Sequence, residues 1–276
     1  MSFLVVILLG IIQGLTEFLP VSSSGHIVLI YNIFGIELDS KLLSILLHVA
    51  TLFSVLIYYR KQIVILIKNP LCQTNKKIIS TTITTCIIVV IFKPIIDKLF
   101  SGQYLFIFFT LTAIILFVSD YLSEKHDLMS ITNNTKPITQ KFERLEDITD
   151  INLNYKQAMI IGIAQGIACI PGISRSGSTI ATAKICGVKD SATYSFLISI
   201  PIIIASLLLE IIDGGSIGNT NIFAIIISMV ICFVIGILSI KTMTSFVKNN
   251  KLTIFSYYLI ILSAFLILND MFFKLF

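Results

Sequence analysis

Charged residues are scarce in this chain. Asp, Glu, Lys and Arg make up only 13% of its 276 residues, whereas 56% are hydrophobic. A typical soluble domain has about 25% charged residues, so the polar surface of an ordinary soluble globule is missing. The high hydrophobicity also excludes a disordered chain. Because several apolar runs reach about 20 residues, the length of a membrane-crossing helix, the sequence predicts an all-α polytopic membrane protein.

Cysteine pairs and an N-terminal basic segment are also missing. The five cysteines are scattered and include no C-x-x-C, which argues against a disulfide framework and a zinc site. The first lysine is Lys41, so the N-terminus lacks the basic start of a cleaved signal peptide. The net charge of +5 comes from basic residues in short loops. That placement favours topology determinants over a nucleic-acid surface, and no nucleic-acid partner is expected.

Six apolar stretches are long enough to span a bilayer. They lie at about 41–59, 78–96, 103–121, 191–211, 220–240 and 253–273. Two other apolar regions, 3–34 and 157–187, are interrupted by Pro, Gly and Ser. Their halves are each about 12–15 residues long, too short to cross alone. Broken runs of this kind are typical of re-entrant hairpins, whose irregular backbone must be buried in protein or line a cavity.

The two broken regions repeat one another at a constant offset of 152 positions. Both regions contain a G-x-x-x-G pattern, which allows close helix packing in membranes, a glutamine before its second glycine, and a later Ser-Gly pair. The matching residues are Gly10, Gln13, Gly14, Ser24 and Gly25 in the first region and Gly162, Gln165, Gly166, Ser176 and Gly177 in the second. The sequence therefore predicts a single membrane domain over 1–276, made of repeat one at 1–121, a cytoplasmic loop at 122–156 and repeat two at 157–276.

The basic residues predict how this domain is oriented. If each repeat contains three spans, fifteen of the 20 Lys and Arg residues, Lys184 among them, fall in loops on one side and four on the other. The positive-inside rule makes the richer side cytoplasmic. An odd number of spans between the hairpins then gives them opposite orientations, with tips that can meet near the midplane. The predicted architecture is an inverted-topology repeat of six spanning helices and two re-entrant hairpins.

Two charged residues lie deep in the broken regions. Glu17 is the only carboxylate in the first 36 residues, and Arg175 lies inside the second interruption. Either charge would be costly if it were unpaired in hydrocarbon. They could form a structural ion pair that locks the hairpins together, or line a polar cavity with a function.

The residues around these charges favour an anion site. Each interruption is a Pro-then-Ser/Gly turn that enters a helix, where free backbone N–H groups and the helix dipole attract anions. The candidate phosphate-binding residues are Ser22, Ser24, Gly25, Ser174, Ser176, Gly177 and Thr179. Helix capping alone would explain the serines, but it requires neither His26 nor Arg175.

Hydroxyl, imidazole, carboxylate and guanidinium groups together suit phosphoryl transfer. Ser22 and Ser23 each lie one helical turn before His26, so His26 could activate a serine or water, or attack phosphorus itself. Arg175 would neutralise phosphate oxygens. Glu17 could act as a base or, with Gln13, hold a divalent cation bound mainly through the substrate phosphates. For His48, inside an apolar span, a packing role is favoured over a role in the site.

The two tips, QGLTEFLPVSSSGH at 13–26 and PGISRSGST at 171–179, resemble the undecaprenyl pyrophosphate phosphatase family of bacitracin-resistance membrane proteins. The resemblance covers nearly the whole chain. It implies hydrolysis of undecaprenyl diphosphate to the monophosphate at the outer face of the bacterial inner membrane, which recycles the carrier lipid for peptidoglycan. It also implies dependence on a divalent cation such as Mg²⁺ or Ca²⁺, and it is compatible with a homodimer.

The resemblance assigns roles by position. The family's glutamate-rich motif matches Gln13 and Glu17, its serine–glycine–histidine motif matches Ser22 to His26, and its arginine motif matches Ser174, Arg175 and Thr179. The implied catalytic residues are Glu17, Ser23, His26 and Arg175. Many relatives have glutamate where this chain has Gln13, which is a weaker metal ligand and no base. A two-carboxylate mechanism is therefore not expected here.

Two other functions fit parts of the pattern. A polyprenyl-phosphate flippase could use the same anion cage without hydrolysis, since broken helices in inverted repeats are typical of transporters. A flippase needs no nucleophile or base beside a run of serines. His26 therefore distinguishes the hydrolase from the flippase. A structural membrane scaffold would leave Glu17, His26 and Arg175 unexplained.

Overall fold

The computed structural model describes residues 2–36, 41–99, 102, 104–132, 148–188, 190–212, 221–249 and 251–273. Its eleven α-helices are α1 Phe3–Thr16, α2 Ser23–Phe34, α3 Lys41–Tyr58, α4 Arg60–Lys68, α5 Gln73–Leu99, α6 Leu105–Thr132, α7 Tyr155–Ile167, α8 Arg175–Ile185, α9 Ser191–Ile212, α10 Ile222–Lys248 and α11 Thr253–Leu268. One turn of π-helix, Asn269–Phe273, follows α11. No strand occurs in this described part of the chain, so the all-α prediction is confirmed.

The long helices have the length and apolarity of membrane spans. Among the described residues, five pass both criteria, namely α5, α6, α9, α10 and α11. A sixth is obtained if α3 and α4, bent by 77° between Tyr58 and Arg60, count as one span. A multi-pass membrane protein is therefore confirmed.

The outer faces of these helices are apolar. In the hydrophobic stretch of α5 only 11% of the residues are buried inside the protein, and its exposed side chains include Ile83, Ile87 and Val90. A soluble protein would cover so many exposed aliphatic groups, whereas lipid tails are a suitable solvent for them.

Each broken apolar region forms two short helices. Residues 3–34 form α1 and α2, and residues 157–187 include α7 and α8. The breaks lie at the predicted Pro and Ser/Gly segments. Ser22 caps α2 and Ser174 caps α8, in both cases by accepting a hydrogen bond from the backbone N–H three residues on.

The first helix of each pair packs on a long helix of the other half of the chain. Helix α1 lies against α10, and α7 lies against α5. Ser228 Oγ of α10 donates to the Val6 carbonyl over 2.7 Å, and Thr81 Oγ1 of α5 donates to the Ala158 carbonyl over 3.0 Å. Val6 and Ala158 are separated by the 152 positions of the sequence repeat, so the two halves pack reciprocally.

The predicted G-x-x-x-G glycines make these contacts close. A Cβ atom on Gly10 would lie 2.6 Å from the Ser228 carbonyl oxygen, and one on Gly162 would lie 2.6 Å from the Thr81 carbonyl oxygen. Backbone approaches of this kind leave no room for a side chain. The glycine pattern therefore works as expected for small residues between membrane helices.

Two segments expected to be loops contain helix. Helix α4 occupies Arg60–Lys68, in the connection between the predicted spans at 41–59 and 78–96, and α6 continues to Thr132, beyond the predicted span end at 121. Lys, Arg, Gln and Glu are good helix formers, and a helix can leave the apolar layer without ending. Of the predicted cytoplasmic loop, residues 133–147 lie outside the described residues.

The placement of Lys184 as a loop charge is wrong. Lys184 lies on α8, and its Nζ atom is 2.7 Å from Oδ1 of Asp120 on α6. Their side chains are only 2% and 3% exposed. The other oxygen of Asp120 accepts hydrogen bonds from the Thr253 backbone N–H and hydroxyl at the start of α11. The pair joins three helices, which a count of loop charges could not detect.

Candidate active site

The first hairpin tip is built around Ser22. This residue adopts a φ of +70°, which non-glycine residues rarely adopt. Its hydroxyl oxygen accepts hydrogen bonds from the Gly25 N–H over 3.3 Å and from the Gly172 N–H of the second tip over 3.1 Å. It also lies 3.3 Å from the Ser24 hydroxyl. Ser22 thus caps α2 and ties it to the other hairpin.

The second tip is held from three directions. Ser174 Oγ accepts a 3.0 Å hydrogen bond from the Gly177 N–H, which caps α8. Thr112 of α6 accepts from the Ser174 N–H and donates to the Gly172 carbonyl. Ser176 Oγ donates to the Leu19 carbonyl of the first tip over 3.0 Å. The two tips are therefore in direct contact.

Glycines allow the tips to approach so closely. A Cβ atom on Gly25 would lie 2.7 Å from the Phe109 ring and 3.0 Å from the Cα atom of Gly172. Gly172 itself has a φ of +93°, in the region that favours glycine. The N-termini of α2 and α8 meet here, so two positive helix-dipole ends share one region.

Glu17 is the centre of the polar cluster. The residue is 6% exposed, and its Oε2 atom accepts hydrogen bonds from Ser23 Oγ over 2.6 Å and from Gln13 Nε2 over 3.0 Å. Its Oε1 atom pairs with the Arg175 guanidinium across the two tips. The structure thus brings together four predicted residues, three of them from the first hairpin and one from the second.

His48 also reaches this cluster. Its Nε2 atom lies 3.9 Å from Glu17 Oε2, while Nδ1 lies 2.8 Å from the Ser44 carbonyl. This position favours the alternative left open by the sequence, that His48 lines the site, over a packing role. One polar residue in an apolar span carries no signal of which helix face it occupies, so its approach to Glu17 emerges only in three dimensions.

Two polar atoms in the cluster have no protein partner. Nη1 of Arg175 and Oε1 of Gln13 are buried and form no hydrogen bond within the described chain. Leaving buried polar groups unsatisfied costs about 1–3 kcal/mol each. A phosphate oxygen suits the guanidinium donor, and a cation or a phosphate O–H suits the amide oxygen.

His26 has different partners from those expected. Its Nδ1 atom lies 2.8 Å from the Ser22 carbonyl, and Nε2 lies 2.7 Å from the Tyr258 hydroxyl of α11. Since a carbonyl only accepts, Nδ1 carries the proton and Nε2 of the neutral ring accepts from tyrosine. Both ring nitrogens are thus occupied, and the expected pairing of His26 with the hydroxyl of Ser22 or Ser23 does not occur.

The remaining predicted hydroxyls are engaged in protein contacts. Thr179 Oγ1 donates to the Arg175 carbonyl over 2.8 Å and also contacts the Ser195 hydroxyl of α9. Ser174 and Ser176 form the cap and the inter-tip bond described above. These side chains fix the backbone that presents Arg175, and direct phosphate binding by them stays a prediction.

A cation site made by protein groups alone does not fit these residues. Within the described ranges, no three His, Cys, Asp or Glu side chains come together as a metal site. The candidate ligands are the Glu17 carboxylate and the buried, unpartnered Gln13 Oε1 atom. Mg²⁺ is commonly held by one or two protein oxygens together with substrate phosphates. The donor set fits a cation of that kind.

Sequence reasoning missed Thr112 and Tyr258. A threonine in an apolar span usually bonds its own helix, and a tyrosine there is often an interfacial anchor. Neither residue type points to a site. Only the packing of α6 and α11 against each other and of α6 against α8 brings the two side chains to the hairpin tips.

Comparison with known proteins identifies the family. The family described as bacitracin resistance protein BacA matches residues 6–265. The chain belongs to this family. Both hairpin tips and Tyr258 fall inside the range matched to the BacA family.

Curated relatives resemble the chain along almost all of its length. An undecaprenyl-diphosphatase from Halothermothrix orenii is 38% identical over 264 residues, covering 94% of each chain. Proteins of the same name from Carboxydothermus hydrogenoformans and Methanosphaera stadtmanae are 34% and 35% identical, again over 94% of each chain.

Proposed function

We propose that this chain is an undecaprenyl-diphosphatase, which hydrolyses undecaprenyl diphosphate to undecaprenyl phosphate and inorganic phosphate. The relatives' names give the substrate class, and the site supplies the chemistry. The observation that carries the proposal is Glu17, which bonds the Ser23 hydroxyl and the Arg175 guanidinium at once. A potential nucleophile, its base and a phosphate-binding cation are thus within one contact network.

The first chemical step uses Ser23. Its oxygen attacks the terminal phosphorus, and the proton passes to Glu17 Oε2, 2.6 Å away. The bond between that phosphorus and the bridging oxygen breaks, and undecaprenyl phosphate leaves with the electron pair. Water then attacks the phosphoserine, the bond from phosphorus to Ser23 breaks, and Glu17 returns its proton to the serine oxygen. The proton lost by water leaves with the phosphate product or solvent.

Arg175 controls when Glu17 can act as a base. A carboxylate paired with a guanidinium is a poor proton acceptor, because the positive charge favours its ionised form. An incoming diphosphate competes for Arg175, whose Nη1 atom has no partner among the described groups. As Arg175 turns to the phosphate, Glu17 gains basicity beside Ser23. Substrate binding and activation of the nucleophile are thereby coupled.

A bound Mg²⁺ or Ca²⁺ would neutralise phosphate charge and so assist departure of the lipid phosphate. Gln13 Oε1 and Glu17 would hold it, together with oxygens of the substrate. Gln13 Nε2 meanwhile donates to Glu17 Oε2 over 3.0 Å, which orients the carboxylate toward Ser23. In this chain Gln13 therefore positions the base, Glu17, and does not itself accept a proton.

The charge distribution supports the proposed orientation of the domain, and the family resemblance implies the face to which the site opens. We take the domain as an inverted-topology repeat in a bacterial inner membrane, with the site open to the outer face. Lys184 is buried, and so is Lys77, which bonds Asp150 and the Ile151 carbonyl. When both are left out, thirteen basic residues lie on the predicted cytoplasmic side and four on the opposite side, which still satisfies the positive-inside rule. The reciprocal packing of α1 on α10 and α7 on α5 supports the repeat. A homodimer stays a prediction.

Phosphate release by the purified protein tests the proposal. The protein in detergent should release phosphate from undecaprenyl diphosphate when Mg²⁺ or Ca²⁺ is added, and chelation with EDTA should slow release. Movement of the lipid between vesicle leaflets without phosphate release would favour a flippase instead. The Ser23–Glu17 hydrogen bond favours hydrolysis, because a binding cage needs no activated hydroxyl.

A further inference from the structure

Among the residues that the structure describes, Tyr258 is the only hydrogen-bond partner of Nε2 of His26. The tyrosine lies on α11, far along the chain from the hairpin, and its hydroxyl is 2.7 Å from that nitrogen. The two rings are stacked with centroids 5.8 Å apart and planes only 10° from parallel. The imidazole also packs against the Phe109 ring, with centroids 5.3 Å apart and an angle of 62° between the ring planes.

These contacts fix the imidazole completely. The Ser22 carbonyl holds the protonated Nδ1 atom, the tyrosine hydroxyl donates to the Nε2 lone pair, and the Phe109 ring packs against the imidazole. His26 is itself buried, whereas Tyr258 is 45% exposed. Fixing the tautomer and orientation of a histidine through a second partner is how proteins prepare it for a specific task.

We propose that Tyr258 is a positioning residue for the diphosphatase reaction, acting through His26. Its hydroxyl keeps His26 in the Nδ1-protonated form, with Nε2 directed at α11 until substrate binds. A water O–H then exchanges with the tyrosine hydroxyl as the donor to Nε2, and the imidazole takes the proton that this water loses when it attacks the phosphoserine and passes it to the phosphate product or solvent. The proposal depends on the proposed function for its kinetic part and on geometry alone for its structural part.

Polar contacts between α11 and α6 on either side of Tyr258 hold its side chain beside His26. The Asp120 carboxylate on α6 binds the Thr253 N–H and hydroxyl, five residues before Tyr258. Further along α11, Ser263 Oγ donates to the Phe106 carbonyl of α6 over 3.0 Å. Tyr258 therefore lies between two polar contacts that fix α11 to the helix carrying Phe109.

The test compares Tyr258→Phe with Tyr257→Phe. Tyr257 is the neighbouring residue on α11 and is 60% exposed, so its variant controls for loss of a tyrosine hydroxyl on the same helix. Losing the hydrogen bond that orients His26 for the proton of the hydrolytic water should lower kcat for phosphate release about five- to tenfold. KM should change less than twofold, since Arg175 and the helix N-termini are untouched. Tyr257→Phe should match the unmodified protein in both constants.

A second measurement does not depend on activity. The chain has only three histidines, so ¹⁵N-histidine labelling gives three pairs of ring-nitrogen resonances. The variants His48→Gln and His126→Gln identify the pair that belongs to His26. In the unmodified protein His26 should be protonated at Nδ1. The chemical shift of its unprotonated Nε2 should lie upfield of the value for a nitrogen that accepts no hydrogen bond. Tyr258→Phe should move the Nε2 resonance downfield, whereas Tyr257→Phe should not.

The proposal requires both results. If the Nε2 resonance is the same in Tyr258→Phe as in Tyr257→Phe, or if kcat is the same in both, Tyr258 does not position His26. If the unmodified protein releases no phosphate from a polyprenyl diphosphate, the proposed function fails. The Nε2 resonance then still decides whether Tyr258 holds His26.

Discussion

The carboxylate of Glu17 and the guanidinium of Arg175 form an ion pair between residues 158 positions apart in the chain. Each lies at the tip of a different broken hairpin, so the pair exists only when both hairpins are in place. Burying one of these charges alone would be costly. The same pair therefore stabilises the meeting of the tips and holds a phosphate-binding group beside the base.

Replacement of Arg175 should abolish catalysis. Arg175→Ala removes the cation that would neutralise phosphate oxygens, and we expect kcat/KM for phosphate release to fall at least about 100-fold. Arg175→Lys keeps the charge but loses the planar fork and should recover only part of the activity. Arg60→Ala is the matched control, because Arg60 is exposed at the start of α4. An Arg175→Ala protein as active as this control would remove arginine from the mechanism.

A carboxylate at position 13 should change the response to divalent cations. Gln13→Glu replaces the amide that donates to Glu17 with a like charge, which repels Glu17 until a cation lies between them. Activity in EDTA should fall, and the Mg²⁺ concentration for half-maximal phosphate release should decrease about tenfold.

Gln165→Leu is the control for this change. Gln165 is the repeat counterpart of Gln13, but its side chain bonds Thr85 rather than a carboxylate. Its Mg²⁺ titration should follow that of the unmodified protein. If the Mg²⁺ titration of Gln13→Glu is the same as those of Gln165→Leu and the unmodified protein, the cation does not bind at Gln13 and Glu17.

The buried pair of Lys184 and Asp120 should stabilise the fold only as a pair. Lys184→Met leaves the Asp120 carboxylate buried without its cation and should cost about 3–5 kcal/mol of unfolding free energy. Adding Asp120→Asn removes that charge while keeping an acceptor for Thr253, and should restore most of the loss. Unfolding in mixed micelles by added SDS measures both. The control Lys125→Met, at an exposed position on α6, should unfold like the unmodified protein. If the single variant Lys184→Met and the double variant lose equal unfolding free energy, the ion-pair explanation is excluded.

The two glycine contacts should be equally sensitive to a methyl group. Gly10→Ala and Gly162→Ala each place a Cβ atom 2.6 Å from a backbone carbonyl oxygen of the helix they pack on, and overpacking of this kind costs about 1–3 kcal/mol. The same SDS titration should show similar losses for both. Gly35→Asn should change little, since its site is open and asparagine tolerates a φ of +58°. Loss at only one of the two glycines would contradict reciprocal packing of the repeats.

The sequence predicted the parts of the site that have a local signature. Pro and Ser/Gly interruptions located both hairpin breaks, and two opposite charges in apolar segments located Glu17 and Arg175. These signals are strong because a break or a charge is expensive in a membrane unless other residues compensate for it.

Residues whose role depends on partners from distant helices could not be found in this way. The sequence predicts a loop charge at Lys184 because nothing in it identifies Asp120, 64 positions away, as the partner of this lysine. His48 and Tyr258 occupy ordinary positions of apolar helices, and only the packing of those helices brings them to Glu17 and His26. Of the roles that the sequence leaves open for His26, activation of a neighbouring serine has no hydrogen bond to support it, because the Ser22 carbonyl and the Tyr258 hydroxyl occupy the two ring nitrogens.

The most direct test of the account is to trap the phosphorylated enzyme. Undecaprenyl diphosphate carrying ³²P in its terminal phosphate is mixed with purified protein and quenched in acid, which preserves phosphoserine but hydrolyses phosphohistidine. The account predicts covalent label on the peptide containing Ser23, and neither label nor turnover in Ser23→Ala. Turnover by Ser23→Ala at the rate of the unmodified protein, or label that is lost in acid but stable in alkali and maps to His26, would contradict it.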